Sequence, residues 1–247
     1  MKKSFILVVA AFVAGCGGSS PGADYTPLAG AGTTTLDATV AGATVVLDRD
    51  ANTLSYNGEV GQINAAGDSV VFPSGATMSL RGLGNTQSRL FTLNGAEQTF
   101  GAFGNQTAPG DLPISGTASY DGESVLVVAA PEGVFDLTGD VTATIDFRAD
   151  NATVTFNNLS GTVATGLASP SSVDDFGSVV VSDVAFDDGG LLGGSTVVST
   201  NASASFDGPL YGGVDGAVFG ENAEEVAGAL DVTGDGVVLK GGFIASK

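Results

Sequence analysis

Residues Tyr211 to Leu230 read YGGVDGAVFGENAEEVAGAL, two short strand-like runs on either side of a tight corner. Gly220 and Asn222 suit a turn or left-handed backbone at little steric cost. Ala223 to Val226 is expected to make one helical turn with Asn222 as its cap. Gly228, inside the second run, reads as a place where another backbone or a ring comes close. Glu224 and Glu225 are neighbours in a strand and so point to opposite faces, which argues against an acid/base pair. The same residues also read as an ordinary glycine-rich turn of an all-β protein.

Outward from this corner, apolar residues alternate with polar ones. Val141, Ala143, Ile145 and Phe147 alternate with Thr142, Thr144, Asp146 and Arg148, and Ala152, Val154 and Phe156 with Thr153, Thr155 and Asn157. Each such strand has one buried and one wet face, as in an antiparallel sheet. Ser178–Phe186 starts with Val179, Val180 and Val181, apolar on both faces, which predicts a bulge or a covered patch. Thr196–Phe206, Val214–Phe219, Val226–Val232 and Val237–Ile244 read as further strands. Ile114–Tyr120 is a first strand, and Glu123–Val128 either turns back across Asp121-Gly122 or runs on from it. The count is about eight, enough to close into an up-and-down barrel filled by side chains.

Several of these stretches resemble the barrel domains of transferrin-binding protein B and related bacterial surface lipoproteins. The resemblance rests on Tyr211-Gly212, the G-x-V-F-G run from Gly216 to Gly220, the ending Gly242-Phe243-Ile244-Ala245-Ser246-Lys247, and Ser115-Gly-Thr-Ala-Ser-Tyr120 with Asp121-Gly122. It covers about the last 135 residues. It implies an all-β fold: a C-terminal eight-stranded antiparallel barrel over 113–247, preceded by a β-rich, handle-like region over 33–108. It also implies a non-enzymatic binding protein whose ligand is held by barrel-end loops and the preceding region. In related barrels the ligands are iron carriers, complement regulators or haem proteins.

The N-terminal half is less clearly patterned. Ala43–Asp48, Thr53–Tyr56, Ser69–Phe72, Thr77–Arg81 and Arg89–Asn94 are candidate strands. Asn57-Gly58 and Asn94-Gly95 are hairpin dipeptides. These strands form either a small separate β-domain or a cover for the barrel. Pro109-Gly110-Asp111, with Pro113 just after, is the best boundary in the chain.

Residues 1–15 read as a signal peptide: Lys2-Lys3, then an apolar run from Phe5 to Val13 that is too short to span a bilayer. Val13-Ala14-Gly15-Cys16 resembles a bacterial lipobox, which implies cleavage before Cys16 and its acylation. Gly17 then favours the outer membrane, with 16–32 as a flexible tether. With Cys16, the only cysteine, lipidated and no histidine in the chain, triads of Ser-His-Asp or Cys-His type and the usual zinc sites are excluded. No cofactor is expected.

The net charge is −19, and loss of Lys2 and Lys3 takes it to −21. Such a surface repels nucleic acid and anionic lipid. It fits solvation in salty water, a basic protein partner or weak divalent-cation binding. Asp231-Val-Thr-Gly-Asp235-Gly236 resembles the start of a calcium loop. Thr233 at its third position and Gly242 at its twelfth leave only Asp231 and Asp235 as acidic ligands, so a hairpin turn is the expected role. Asp174-Asp175 and Asp187-Asp188 read as paired carboxylates in loops. Tyr25, Tyr56, Tyr120 and Tyr211 are the only side chains that could bind ferric or haem iron as anions, and Tyr120 and Tyr211 are expected instead in the core or at a barrel end. The functional expectation is a monomeric, lipid-anchored outer-membrane binding protein for a protein or solute ligand. A structural or adhesive surface lipoprotein is the alternative. A membrane pore is excluded by the short strands, the missing aromatic girdle and the lipid anchor.

Overall fold

The computed structural model describes residues 32–40, 42–83, 87–166, 169–202, 206, 208–234 and 236–247. Apart from one 3-10 turn at Pro109–Asp111, its regular elements are strands. The first eight are β1 (Thr33–Ala38), β2 (Val45–Asp48), β3 (Thr53–Tyr56), β4 (Glu59–Ile63), β5 (Ser69–Val71), β6 (Thr77–Arg81), β7 (Ser88–Asn94) and β8 (Gln98–Gly104). They pair in sequence order and close into a barrel where Asp37 and Ala38 of β1 meet Gly104 and Phe103 of β8. Leu47, Leu54, Val70, Met78, Phe91 and Phe103 are among the side chains that fill it.

After the linker come β9 (Thr117–Ala130), β10 (Gly133–Asp146), β11 (Asn151–Ala164) and β12 (Ser171–Asp187). The remaining strands are β13 (Gly190–Gly193), β14 (Ser195–Thr200), β15 (Tyr211–Phe219), β16 (Glu225–Gly234) and β17 (Val237–Ser246). The order is β11-β10-β9-β17-β16-β15-β13-β12-β14, and β11 also pairs with β12, so this sheet closes as well. β13 and β14 share one edge of β12 and act as a single broken strand, leaving eight strand positions around the second barrel. First and last strands pair as expected, from Ser246 opposite Asp121 to Val238 opposite Ala129. Inside lie Leu126, Leu137, Val154, Phe156, Phe176 and Phe243, with the Phe156 and Phe243 rings edge-to-face at 5.8 Å.

Several local expectations are corrected. Of the two readings of Asp121-Gly122 the continuous one holds: β9 runs straight through it, with Gly122 under a neighbouring strand, where a Cβ would sit 2.6 Å from Ala245 Cα. β9 begins at Thr117, leaving Ile114 exposed. Ala223 to Val226 makes no helical turn: Ala223, not Asn222, takes the left-handed conformation (φ 53°), and β16 starts at Glu225. β14 ends at Thr200, short of Phe206, whose ring nonetheless packs 6.1 Å from that of Phe176. Asn57-Gly58 forms the expected two-residue hairpin with φ of 50° and 84°, whereas Asn94 pairs with Gln98 across a longer loop.

The bulge expected in Ser178–Phe186 is present. The register with β11 shifts between Ala152 and Val154, opposite Asp183, which has φ 53°. β9 to β11 have 14 residues each and β12 has 17, so these strands are not short. Polarity settles the membrane question instead. The interior is apolar, and Asp121, Glu123, Asp136 and Asp140 face outward among threonines, the reverse of a lipid-spanning barrel.

Candidate functional site

The Tyr211–Leu230 stretch supplies β15, β16 and the turn between them, and its outer face is where the two barrels meet. Ala217, Phe219, Ala227 and Ile244 of the second barrel are buried against Leu90 and Ala102 of the first. Strands at this junction have both faces covered, one by their own barrel and one by the other. Phe219 therefore lies between the barrels rather than inside one.

Polar groups fix the fit. Glu225, 4% exposed, accepts hydrogen bonds from Gln87 N (2.7 Å), Ser88 N (3.0 Å) and Ser88 Oγ (2.7 Å). Burial pushes its carboxyl above the usual glutamate range, against the opposing pull of these donors and of Arg89. Thr107 donates its N–H to Val218 O at 2.9 Å and its hydroxyl to Gly220 O at 2.6 Å, and Gly220 N donates to Asn105 O at 2.9 Å. Burying Leu90, Phe219 and Ile244 contributes about 1.5–3 kcal/mol each. A hydrogen bond nets about 1 kcal/mol. Apolar contact thus holds the barrels together, and Glu225 sets their register. Glu224, on the other face, is exposed.

One end of the second barrel is closed by Tyr120 and the chain around Asn222. The Tyr120 hydroxyl donates to Ala223 O at 2.9 Å, and burial raises its pKa to about 12. Lys247 Nζ donates to Asn222 O at 2.9 Å and lies 5.6 Å above the Tyr120 ring.

Among the described residues at the other end, Phe135, Val163, Val173 and Ala202 line a depression of about 330 Å³, with Glu132, Asp174 and Asp175 around it; a depression of about 380 Å³ lies at the Tyr120 end, beside Pro113, Phe147 and Lys247. Glu132 sits in the two-residue connection between β9 and β10, where Ala130 pairs with Gly133. Barrel mouths of this kind, with an apolar floor and a few polar groups, are common ligand sites.

The residues singled out from sequence are dispersed. Cys16, Tyr25 and Asp235 lie outside the described residues. Asp231 is on β16 opposite Lys240 of β17, with Asp231 Oδ2 3.2 Å from Lys240 Nζ. Gly234 pairs with Val237 at the end of the β16–β17 ladder. Asp174 and Asp175 belong to strand β12 rather than to a loop, and Asp175 accepts from Gly177 N and Asn201 Nδ2 at 2.9 and 2.8 Å. Asp187 ends β12, with Asp188 and Gly189 as the hairpin turn. Tyr56 packs 5.6 Å from Phe91, but Tyr211 is 66% exposed rather than part of the core. Among the described residues no three carboxylates come together as a metal site.

No protein-family profile matches the sequence, and neither does any curated protein. Solved structures do. A mutant of the vaccine antigen transferrin-binding protein B from Haemophilus parasuis superposes with a TM-score of 0.53 at 16% identity, over 86% of this chain and 44% of that one. The isotype 1 transferrin-binding protein B of serogroup B Neisseria meningitidis gives 0.49 at 16%, over 86% and 43%. The N-lobe domain of lactoferrin-binding protein B of Moraxella bovis gives 0.42 at 14%, over 88% and 100%. The chain thus has the fold of a lobe built from two antiparallel barrels. The lobe is of the transferrin-binding protein B type, and the chain spans less than half the length of the Haemophilus protein.

Proposed function

We propose that this chain is a non-enzymatic binding protein displayed on the outer-membrane surface, anchored by acylation of Cys16. In this reading 1–15 is the removed signal peptide and 16–32 the tether. The barrels over 33–108 and 113–247 present their loops and ends to a protein ligand. The observation that carries it is the two-barrel lobe itself, a layout that leaves loops at the barrel ends free to vary. By analogy with the Haemophilus protein, an iron-carrier protein is the ligand class to test first.

The test is a titration of the full chain with transferrin, lactoferrin and haem-carrying proteins, alongside affinity capture from host and environmental extracts. Saturable, stoichiometric binding of one protein supports the reading. Failure with every carrier and every extract would leave a structural or adhesive lipoprotein. For the anchor, Cys16→Ala should abolish labelling by a fatty-acid analogue and release the chain from membranes, and a labelled Ala variant would refute it.

A further inference from the structure

We propose that the seam between β14 and β15 takes an extended segment of another polypeptide, basic in charge and apolar at alternate positions, which adds as a strand to the free edge of β14. The inference rests on the binding reading above and names one surface and the chemistry of the partner it fits.

The seam starts at two glycines. β13 and β15 pair from Gly190 opposite Ala217 to Gly193 opposite Val214, and there their ladder stops. Gly193 and Gly194 both have positive φ (78° and 110°), a conformation that favours glycine and turns the chain off β15. Beyond them β14 pairs with β12, from Ser195 opposite Ser182 to Thr200 opposite Gly177. On its other side β14 has no strand partner among the described residues, and it ends the strand order of its sheet. Tyr211, Gly212 and Gly213 of β15 pair with β16 but not with β14. The backbone N–H and C=O groups of such an edge are matched by one kind of ligand, another extended chain. Edges left for solvent are usually guarded by charge, proline or a bulge, and β14, Ser-Thr-Val-Val-Ser-Thr, carries none of these.

The side chains select the partner. Val197 of β14 and Tyr211 of β15 are exposed on the two sides of the seam, and Leu192 is exposed beside its start. Val198 and Leu210 pack against the core while only partly buried, so apolar side chains on the inner face of an added strand have a surface to meet. Every charged residue on the bordering strands β12, β13, β14 and β15 is acidic: Asp174, Asp175, Asp183, Asp187 and Asp215. A basic segment is attracted there. A second copy of this chain, with its net charge of −19, would bring the same carboxylates against them.

The experiment measures binding of a dye-labelled, capped Lys-Val-Thr-Val-Thr-Val-Lys peptide to the full chain by fluorescence anisotropy, with amide hydrogen exchange to locate it. Saturable binding that slows exchange within 195–200 is expected. Copies N-methylated at the valines or at the threonines block one edge of the peptide each, and at least one should bind about tenfold more weakly. Glutamate in place of both lysines should also cost about tenfold. Val197→Ser should weaken binding about threefold. Val60→Ser, at an exposed position of β4 with a paired strand on each side, should leave it unchanged. No binding, undiminished binding of both N-methylated copies, equal binding of the glutamate peptide, or protection that falls outside 195–200 would overturn the proposal. So would a dimer in sedimentation that protects 195–200 without peptide, since a second copy would then fill the seam. If a carrier protein binds while the peptide does not, this inference falls and the binding function stands. If the peptide binds as expected while every carrier and extract fails, the binding function falls and the seam chemistry stands.

Discussion

Glu225 Oε2 accepts two hydrogen bonds from Ser88, 137 residues earlier: one from its N–H at 3.0 Å and one from its hydroxyl at 2.7 Å. The other oxygen takes the N–H of Gln87 at 2.7 Å, so one side chain of β16 satisfies the start of β7. Where β7 enters the first barrel is thus set by a residue of the second.

Glu225→Ala should destabilise the protein by about 2–4 kcal/mol in chemical denaturation, since it removes the acceptor of three hydrogen bonds, two of them to buried Ser88, and a negative charge near Arg89. Its pH dependence has a definite sign. Burial raises the folded carboxyl above its unfolded value, so between the two values the native state holds a proton that the unfolded chain has released. The contribution of Glu225 therefore falls as pH rises through that window and grows as pH is lowered. Wild type should gain stability relative to Glu225→Gln as pH is lowered through the window above the ordinary glutamate value. A difference that stays flat would mean the carboxyl remains ionised throughout.

Tyr120 makes a second pH prediction. With its hydroxyl pushed up to about 12 by burial, against an ordinary tyrosine value of 10.0, it should titrate well above the usual tyrosine range in an alkaline absorbance titration. Between those values the native state keeps a proton that the unfolded chain loses, so stability falls as pH rises there. Tyr120→Phe should remove that slope and cost about 1 kcal/mol at neutral pH by leaving Ala223 O without its donor.

Gly228→Val tests the close approach expected from sequence. A Cβ at Gly228 would sit 2.5 Å from Asp215 O, 2.6 Å from Gly216 Cα and 3.1 Å from Phe243 Cε1. Two of these atoms are backbone of the paired strand and cannot swing aside. Destabilisation of about 1–3 kcal/mol is expected. An unchanged melting temperature would show that β15 can move away at no cost.

For calcium, the expected outcome is indifference. Asp231 is in a strand and paired with Lys240, with both side chains well exposed, so Asp231→Ala should change stability by less than about 1 kcal/mol. Adding chelator should leave the melting temperature in place, because millimolar or weaker binding stabilises little at physiological calcium. A drop of several degrees on chelation, abolished by Asp231→Ala, would make 231–236 a ligand loop.

The second barrel was legible because β10 and β11 alternate strictly, and the pairs Val141–Phe156 and Ala143–Val154 put matching apolar residues on one face. Closure of the first barrel was not legible. In β4 one of the two core-facing positions is Gly61, beside Ile63, while Val60 is 53% exposed, so the hydrophobic pattern follows burial only in part. In β8 apolar residues occupy both faces because Ala102 meets the other barrel and Phe103 fills its own. The same cause hid the junction, although the runs Leu90-Phe91, Val218-Phe219 and Phe243-Ile244 carried its mark: strands apolar on both faces in a protein with otherwise wet outer surfaces. Glu225 is buried while its neighbour Glu224 is exposed, and its hydrogen bonds to a strand 137 residues away leave no local trace in the sequence.

β17 has one more consequence, for the order of events in the cell. It closes the second barrel against β9, and Ile244 on its outer side is part of the surface on which the first barrel rests. Until those ten residues exist, β9 and β16 each keep a raw edge, and the first barrel has only part of its seat. A chain delivered from its N-terminus therefore cannot complete this fold piecemeal. It travels with open sheet edges of the kind that seed aggregation, and whatever escorts it has to cover them until β17 arrives.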